Sequence, residues 1–250
     1  MSTVVVVQAR MGSIRLAGKV LAPIAGRPML SYQMERLRRC RQVDRLVVAT
    51  TTRSADDAIV SFCDSEGIAH TRGSEQDVLS RFARAALVFD ASVVVRVTAD
   101  CPLIEPELVD RAVSTFRAGD PCDYLSNMIR PTWPYGMAVE VMSRDALLQA
   151  DAEATDPAER EHVTPFIYWR PERFRLSSLT RVPDLSAHRW TVDTAEDLEL
   201  VSRILTTLHP RLPAFEMADV LNVLREHPEW EYINRHVQQV AVAPTIEDAP

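Results

Sequence analysis

The sequence predicts an α/β fold with a mostly parallel sheet buried between helices on both faces. Two observations lead there. Valine-rich runs at residues 4–7, in "DRLVVAT" and in "SVVVRVTAD" lack the alternation of a strand that faces water on one side. Between them lie segments with helical spacing, each opened by a capping or proline signal.

The elements follow in order. The first run is a strand buried on both faces, followed by a loop. Pro28 opens a helix with Leu30, Met34 and Leu37 on one face. "DRLVVAT" is the second buried strand, and Ser54 with Asp57 has capping-box spacing before Ile59, Phe62 and Cys63. "IAHT" is a short strand. Ser74 and Asp77 repeat the capping signal ahead of Val78, Phe82, Ala85 and Phe89. "SVVVRVTAD" is the third buried strand, and Pro106 opens a helix carrying Leu108, Val109, Ala112, Val113 and Phe116. From about residue 124 to 181 the character changes. "GMAVEVMS" reads as a strand, Asp156-Pro157 as a helix start leading into "EREHVTPFIYW", and "FRLSSLT" as an antiparallel strand. "RWTVD" reads as a short strand, Thr194 and Asp197 as a capping box, and residues 215–226 as a further helix. Residues 1–237 are expected to form one domain, and 238–250 a flexible tail.

Composition narrows the function. With 250 residues, 46% of them hydrophobic, the chain can bury a large core. A net charge of −7 argues against a general nucleic-acid binder. The four cysteines, Cys40, Cys63, Cys101 and Cys122, have no C-x-x-C spacing, which points to reduced thiols and a cytoplasmic location. No apolar stretch approaches transmembrane length, so no membrane partner is expected.

Any basic site must therefore be local, and the loop "QARMGSIRLAGKVL" supplies one. In a doubly wound sheet ligands sit beyond the carboxyl ends of the strands, where this loop begins. Gly12 and Gly18 permit close backbone approach, Ser13 and free N–H groups can donate to phosphate oxygens, and Arg10, Arg15 and Lys19 bring cations. The set suits a triphosphate, although an ordinary solvated basic loop has the same composition. It is neither a Walker A loop, with five residues between Gly12 and Gly18 and Val20 where Ser or Thr belongs, nor G-x-G-x-x-G. Asp100 and Asp193 each close an apolar run where a strand would deliver side chains to the ligand edge. Two such carboxylates can hold Mg²⁺ together with phosphate oxygens. Taken singly, each is equally a turn or cap residue.

"QARMGSIRLAGKVL", "VVATTT", "RGSEQDVLSRF", "RVTADCPLIEPELVD", "DYLSNMIR", "REHVTPFIY" and "RWTVDTAEDLE" follow one another from about residue 3 to 205. This series resembles the CTP-dependent cytidylyltransferases of the spore-coat polysaccharide biosynthesis type, relatives of the CMP-sialic acid and CMP-Kdo synthetases. The resemblance implies a three-layer α/β/α, Rossmann-like nucleotide-diphosphosugar transferase fold with a small antiparallel acceptor and dimerisation subregion, usually a homodimer. It implies that Ala9, Arg10, Gly12, Ser13, Arg15 and Lys19 hold CTP phosphates, and that Asp100 and Asp193 are Mg²⁺ ligands. Cytosine and ribose would lie near Ala49, Thr50, Thr51, Arg72, Gly73 and Ser74, bordered by Asp77 and Arg81. Asn127, Arg130, Tyr135, Glu140, Glu161 and His162 would face an acidic small-molecule acceptor.

Two departures stand out. Ala17 replaces the proline of R-L-P-G-K, and in "WPYGMAVEV" Tyr135 and Ala138 replace two acids of P-D-G-L-D-V-E. Arg96, inside a strand, either binds an acceptor carboxylate or pairs with an internal acid, and His162 is either a base or a packing residue. The reaction implied is attack of an acceptor hydroxyl on the α-phosphorus of CTP, with Arg15, Lys19 and Asp100 central to it. Transfer from UTP or dTTP to a sugar phosphate, or a non-catalytic nucleotide-binding scaffold, are the alternatives.

Overall fold

In a computed structural model of the chain, residues 2–238 are described. The strands are β1 (Thr3–Gln8), β2 (Pro23–Ile24), β3 (Arg27–Pro28), β4 (Arg45–Thr51), β5 (Ala69–Gly73), β6 (Val93–Thr98), β7 (Tyr124–Ser126), β8 (Glu140–Ser143) and β9 (Leu176–Ser178). The helices are α1 (Met29–Leu37), α2 (Asp57–Ser65), α3 (Val78–Val88), α4 (Pro106–Ala118), α5 (Arg144–Glu153), α6 (Pro157–His162), α7 (Pro165–Tyr168), α8 (Ala195–Leu208) and α9 (Met217–Glu226).

Seven strands form one sheet in the order β5-β4-β1-β6-β8-β7-β9. β1 is parallel to β4 and β6, and β4 to β5. β8 runs antiparallel between β6 and β7. β2 and β3 make a separate small antiparallel hairpin whose turn residues, Ala25 and Gly26, both have positive φ, as a two-residue turn requires.

The valine runs work as the sequence predicts, because alternate side chains enter alternate layers. Val5 and Val7 of β1 pack with Leu30 of α1, Ile59 of α2, Leu108 of α4, Leu200 of α8 and Val220 of α9. Val4 and Val6 pack with Phe82 of α3, Leu147 of α5 and Ile167 of α7. All four valines have no exposed surface, which explains why no polar residue interrupts the run.

Four local expectations need correction. "FRLSSLT" yields β9, which is parallel, not antiparallel, to β7: the chain between them passes through β8 and three helices, a crossover that brings it back in the same direction. "RWTVD" is not a ladder strand. It lies extended over the loops beyond β6, with Trp190 N–H donating to Tyr135 O at 2.6 Å and Val192 N–H to Asp100 O at 2.9 Å. "EREHVTPFIYW" is not one helix, because it breaks between α6 and α7 at Val163, φ 75°, and Pro165 starts the second piece. Ser54 does not cap α2: residues Ser54–Asp56 form a 3-10 turn without a side-chain cap, and the helix starts at Asp57. By contrast, the Thr194/Asp197 capping box is present at α8. The tail lies outside the described residues except for Gln238.

From β1 the chain moves outward to β4 and β5, then crosses back to β6 on the other side of β1. The crevice beyond the carboxyl ends of β1 and β6 is therefore the topological switch point, where ligands settle in open α/β sheets.

Candidate active site

The loop leaving β1 is held by backbone bonds and one buried acid. Ala9 N–H donates to Ala49 O at 3.2 Å, and both Ser13 and Gly18 N–H donate to Met11 O, at 3.0 and 2.9 Å. Met11 N–H donates to Asp56 Oδ1 at 2.6 Å, while the other Asp56 oxygen accepts the Thr51 hydroxyl. Gly18 adopts φ 71°, a left-handed turn that most side chains resist, and starts the 3-10 turn Lys19–Leu21. This turn sends Lys19 across the switch point.

There Lys19 joins the two predicted aspartates. Its Nζ lies 3.2 Å from Asp100 Oδ2, 2.7 Å from Asp193 Oδ1 and 2.7 Å from Val192 O. Asp193 Oδ2 takes Arg15 Nη2 at 3.0 Å and Arg189 Nη2 at 3.2 Å. Burial disfavours the Lys19 ammonium, but Asp100 and Asp193 outweigh it and raise the lysine's pKa. Burial likewise acts against the Asp193 carboxylate, and its bond from Lys19, with the charges of Lys19, Arg15 and Arg189, lowers its pKa instead. Asp100 Oδ1 also accepts the Thr98 hydroxyl. Two carboxylates already gathered around one cation are a donor set that fits a hard divalent ion.

The side toward β4 and β5 carries the residues expected at the nucleoside. Thr50 and Thr71 have buried hydroxyls without a hydrogen-bond partner among the described residues, as does Arg81 Nε. Arg81 Nη1 donates to Ala49 O at 3.3 Å, and burial followed by the nearby charge of Arg10 lowers the Arg81 pKa to about 10. Arg10 itself is partly buried and forms no hydrogen bond or ion pair with a described residue. A Cβ at Gly73 would sit 2.8 Å from Arg81 Cγ, so glycine is what lets Arg81 lie against this turn. Three other candidates have structural tasks here. Arg72 donates to Thr51 O and Arg53 O, at 2.8 and 3.0 Å. Ser74 Oγ accepts Asp77 N–H at 3.1 Å. Asp77 caps α3 and pairs with Arg160 at 2.6 and 3.0 Å.

The acceptor candidates do not form one group. Asn127 is buried and spends its amide on Met137 O and Val139 N–H, at 2.7 and 2.9 Å. Glu140 is buried against Arg96, its register partner across β6 and β8, and accepts the Tyr124 and Thr164 hydroxyls at 2.6 Å each. Arg96 therefore pairs with an internal acid. His162 is partly buried; burial lowers its pKa, with Glu161 and Glu140 opposing and Arg96 assisting. Arg130 and Glu161 are exposed, with no hydrogen bond or ion pair to Lys19, Asp100 or Asp193. Tyr135 is the candidate that reaches the charged centre: its ring lies 5.1 Å from the Arg189 guanidinium carbon, and burial, then the charges of Asp100 and Asp193, raise its pKa.

The residue pattern of the family described as "Cytidylyltransferase" matches residues 4–223, which include the loop, both aspartates and the flanking strands. The chain belongs to this family. Among cytidylyltransferase relatives, the spore coat polysaccharide biosynthesis protein SpsF of Bacillus subtilis is 32% identical over 232 residues, 90% of this chain and 94% of its own length. A cytidylyltransferase structure from Leptospira borgpetersenii superposes with a TM-score of 0.88 at 29% identity, covering 96% of this chain and 99% of that one. A CMP:2-keto-3-deoxy-manno-octonic acid synthetase complexed with CTP shares the fold at a TM-score of 0.64 and 19% identity, over 83% of this chain and 99% of that one. The protein is thus a nucleotidyltransferase that uses CTP.

Sequence reading missed Asp56, Arg189, Asp197 and Asn234. Asp197 accepts Arg189 at 2.9 and 2.8 Å, the N–H groups of Asp193 and Thr194 at 3.0 and 3.1 Å, and Asn234 Nδ2 at 2.8 Å. It was legible only as a helix cap. Arg189 stands four residues before Asp193 in "RWTVD", a spacing that invites pairing only once the segment is known to fold back. Nothing in the sequence around Asn234 signals its role.

Proposed function

We infer that this cytidylyltransferase transfers CMP from CTP to a hydroxyl of an acidic sugar or similar acceptor and releases pyrophosphate. The observation that carries the reading is the convergence of Lys19, Arg15, Asp100 and Asp193 at the switch point beside the β1 loop. The acceptor oxygen bonds to the α-phosphorus as the bond to the β-phosphate oxygen breaks, and the hydroxyl proton is released. Transfer of this kind asks the protein chiefly for positioning and charge neutralisation.

Arg15 and Lys19 hold the leaving pyrophosphate, while Arg10, Gly12 and Ser13 cradle the triphosphate with the loop's backbone. Thr50, Arg81 and the turn at Gly73 border the nucleoside, where unpartnered buried polar atoms support a polar ligand. Asp100 and Asp193 hold Mg²⁺, which when bound offsets charge at the α-phosphate and lowers the acceptor hydroxyl's pKa. Tyr135 borders the acceptor. With Tyr135 and Ala138 replacing acids, this wall repels an acidic acceptor less. The product serves surface polysaccharide or glycoconjugate precursors in the cytoplasm. Residues 1–237 act as one domain in a homodimer, a reading supported by the outer edge of β9, which pairs with no other strand among the described residues.

Thermal unfolding with CTP, UTP, ATP or dTTP, each with and without Mg²⁺, tests the reading without a known acceptor. Selective stabilisation by CTP that grows with Mg²⁺ is expected. Preference for UTP or dTTP overturns it.

A further inference from the structure

Lys19 has a conflict that the proposed function leaves unresolved. Its ammonium is satisfied by three oxygens, Asp100 Oδ2, Asp193 Oδ1 and Val192 O, and its side chain is only 12% exposed. An ammonium has three hydrogens, so this shell is full, and reaching a phosphate means leaving it. The same carboxylates are the donor set that a divalent ion takes. An ammonium and a metal ion disfavour each other at those oxygens, because two cations that close repel strongly once water is excluded. The remaining contacts suit an exchange. Arg15 and Arg189 hold Asp193 through Oδ2, not Oδ1, so the carboxylate keeps its aim when Lys19 departs. Lys19 has a flexible four-carbon stem and begins a short 3-10 turn just after Gly18.

We propose that Lys19 is an internal counter-cation that occupies the metal cradle and trades places with the divalent ion. Lys19 gives up the two aspartates as the ion enters, and its ammonium moves to the triphosphate. The proposal rests on the metal-assisted reading above. Metal and nucleotide then bind cooperatively, since both favour the same displaced position of Lys19. The affinity of the protein alone for a divalent ion is reduced by the small fraction of time that Lys19 spends outside the cradle.

The test is Mn²⁺ binding to the full chain, followed by the spin-resonance signal of free Mn²⁺, for wild type, Lys19→Met, Lys19→Arg and Asp193→Asn. Without nucleotide, Lys19→Met should bind Mn²⁺ at least about tenfold more tightly than wild type, because the competing cation is gone. Lys19→Arg should bind more weakly, since a forked guanidinium grips both carboxylates. CTP should tighten Mn²⁺ binding to wild type by about tenfold and to Lys19→Met far less. Equal or weaker binding by Lys19→Met, with Asp193→Asn abolishing the site, overturns the exchange but leaves the metal reading standing. Mn²⁺ binding that Asp193→Asn does not alter overturns the metal reading and the exchange with it. If thermal unfolding shows that Lys19→Met does not fold, the other arms decide: equal affinities for Lys19→Arg and wild type, without coupling to CTP, overturn the exchange.

Discussion

Arg189 and Asp197 form a two-pronged ion pair, Nε to Oδ1 at 2.9 Å and Nη2 to Oδ2 at 2.8 Å, and the Asp197 side chain has no exposed surface. Because Asp197 also accepts the Asp193 N–H, one buried carboxylate fixes both the guanidinium beside Asp193 and the peptide that carries it. Asp197→Ala leaves the partly buried Arg189 with Asp193 alone and strips the Asp193 and Thr194 N–H groups and Asn234 of their acceptor, and should cost about 3–5 kcal/mol of stability. Denaturant unfolding measures this. Asp197→Asn, which keeps acceptor oxygen for the Asp193 and Thr194 N–H groups, should cost less than Asp197→Ala, and equal losses in the two variants would contradict the account.

Acid should weaken the same region. Burial raises the Asp197 pKa, but bonds from Arg189, Asn234 and the Asp193 N–H outweigh it and leave it below the ordinary 3.8. A depressed carboxylate contributes stability that is complete above its unfolded pKa and is lost as pH falls through the folded value. Asp193 behaves alike. Stability against pH should therefore fall below about pH 4, and Asp197→Asn should flatten that limb while lowering the plateau. An unchanged slope would exclude this contribution.

Asp100→Asn and Asp193→Asn keep the shape of the side chain and remove its charge. Each should lower CMP transfer by roughly a hundredfold or more, read as pyrophosphate released from CTP at a temperature where thermal unfolding shows the variant folded, since Asp193→Asn also loses the stability that its ion pairs supply. Full turnover in either variant would remove that residue from the proposed metal pair.

Gly136 has φ 108°, and a Cβ there would lie 2.4 Å from Thr191 N and 2.5 Å from the Trp190 carbonyl carbon. The loop carrying Tyr135 cannot retreat without breaking the Tyr135 bonds to His188 O and Trp190 N–H. Gly136→Ala should cost at least about 3 kcal/mol, measured by chemical unfolding. A variant of native stability would show that the loop can move aside.

Asn127 should act on stability and not on substrate binding. Asn127→Ala leaves Met137 O and Val139 N–H short of a partner, an expected loss of about 2–4 kcal/mol. The KM for CTP should stay unchanged, and a large rise would bring Asn127 into the nucleotide site.

The parallel half of the sheet was legible because valines 4–7 and their counterparts in β4 and β6 are buried on both faces, which favours continuous apolar runs over alternation. The charged loop was legible for the opposite reason: Arg10, Arg15 and Lys19 contradict the core strand they follow. Strand direction in the second half was not legible, because β9 is three residues long and its partner was set by a distant crossover. Among candidate site residues, Lys19, Arg15, Asp100 and Asp193 come together, whereas Asp77, Asn127 and Glu140 serve packing and capping. A polar residue has the same letter whether it faces a ligand or a buried backbone group. Only the fold decides which.

Asn234 Nδ2 bonds both Arg189 O and Asp197 Oδ1, at 3.0 and 2.8 Å. The chain thus ties its late segment to Arg189 and Asp197, the pair that holds the candidate metal ligand Asp193, a clasp drawn from beyond the last long helix. A protein shortened ahead of residue 234 would keep every catalytic candidate yet hold Asp193 less firmly. A truncation or proteolytic nick ahead of residue 234 should therefore be checked for loss of this support before its inactivity is read as a statement about the chemistry.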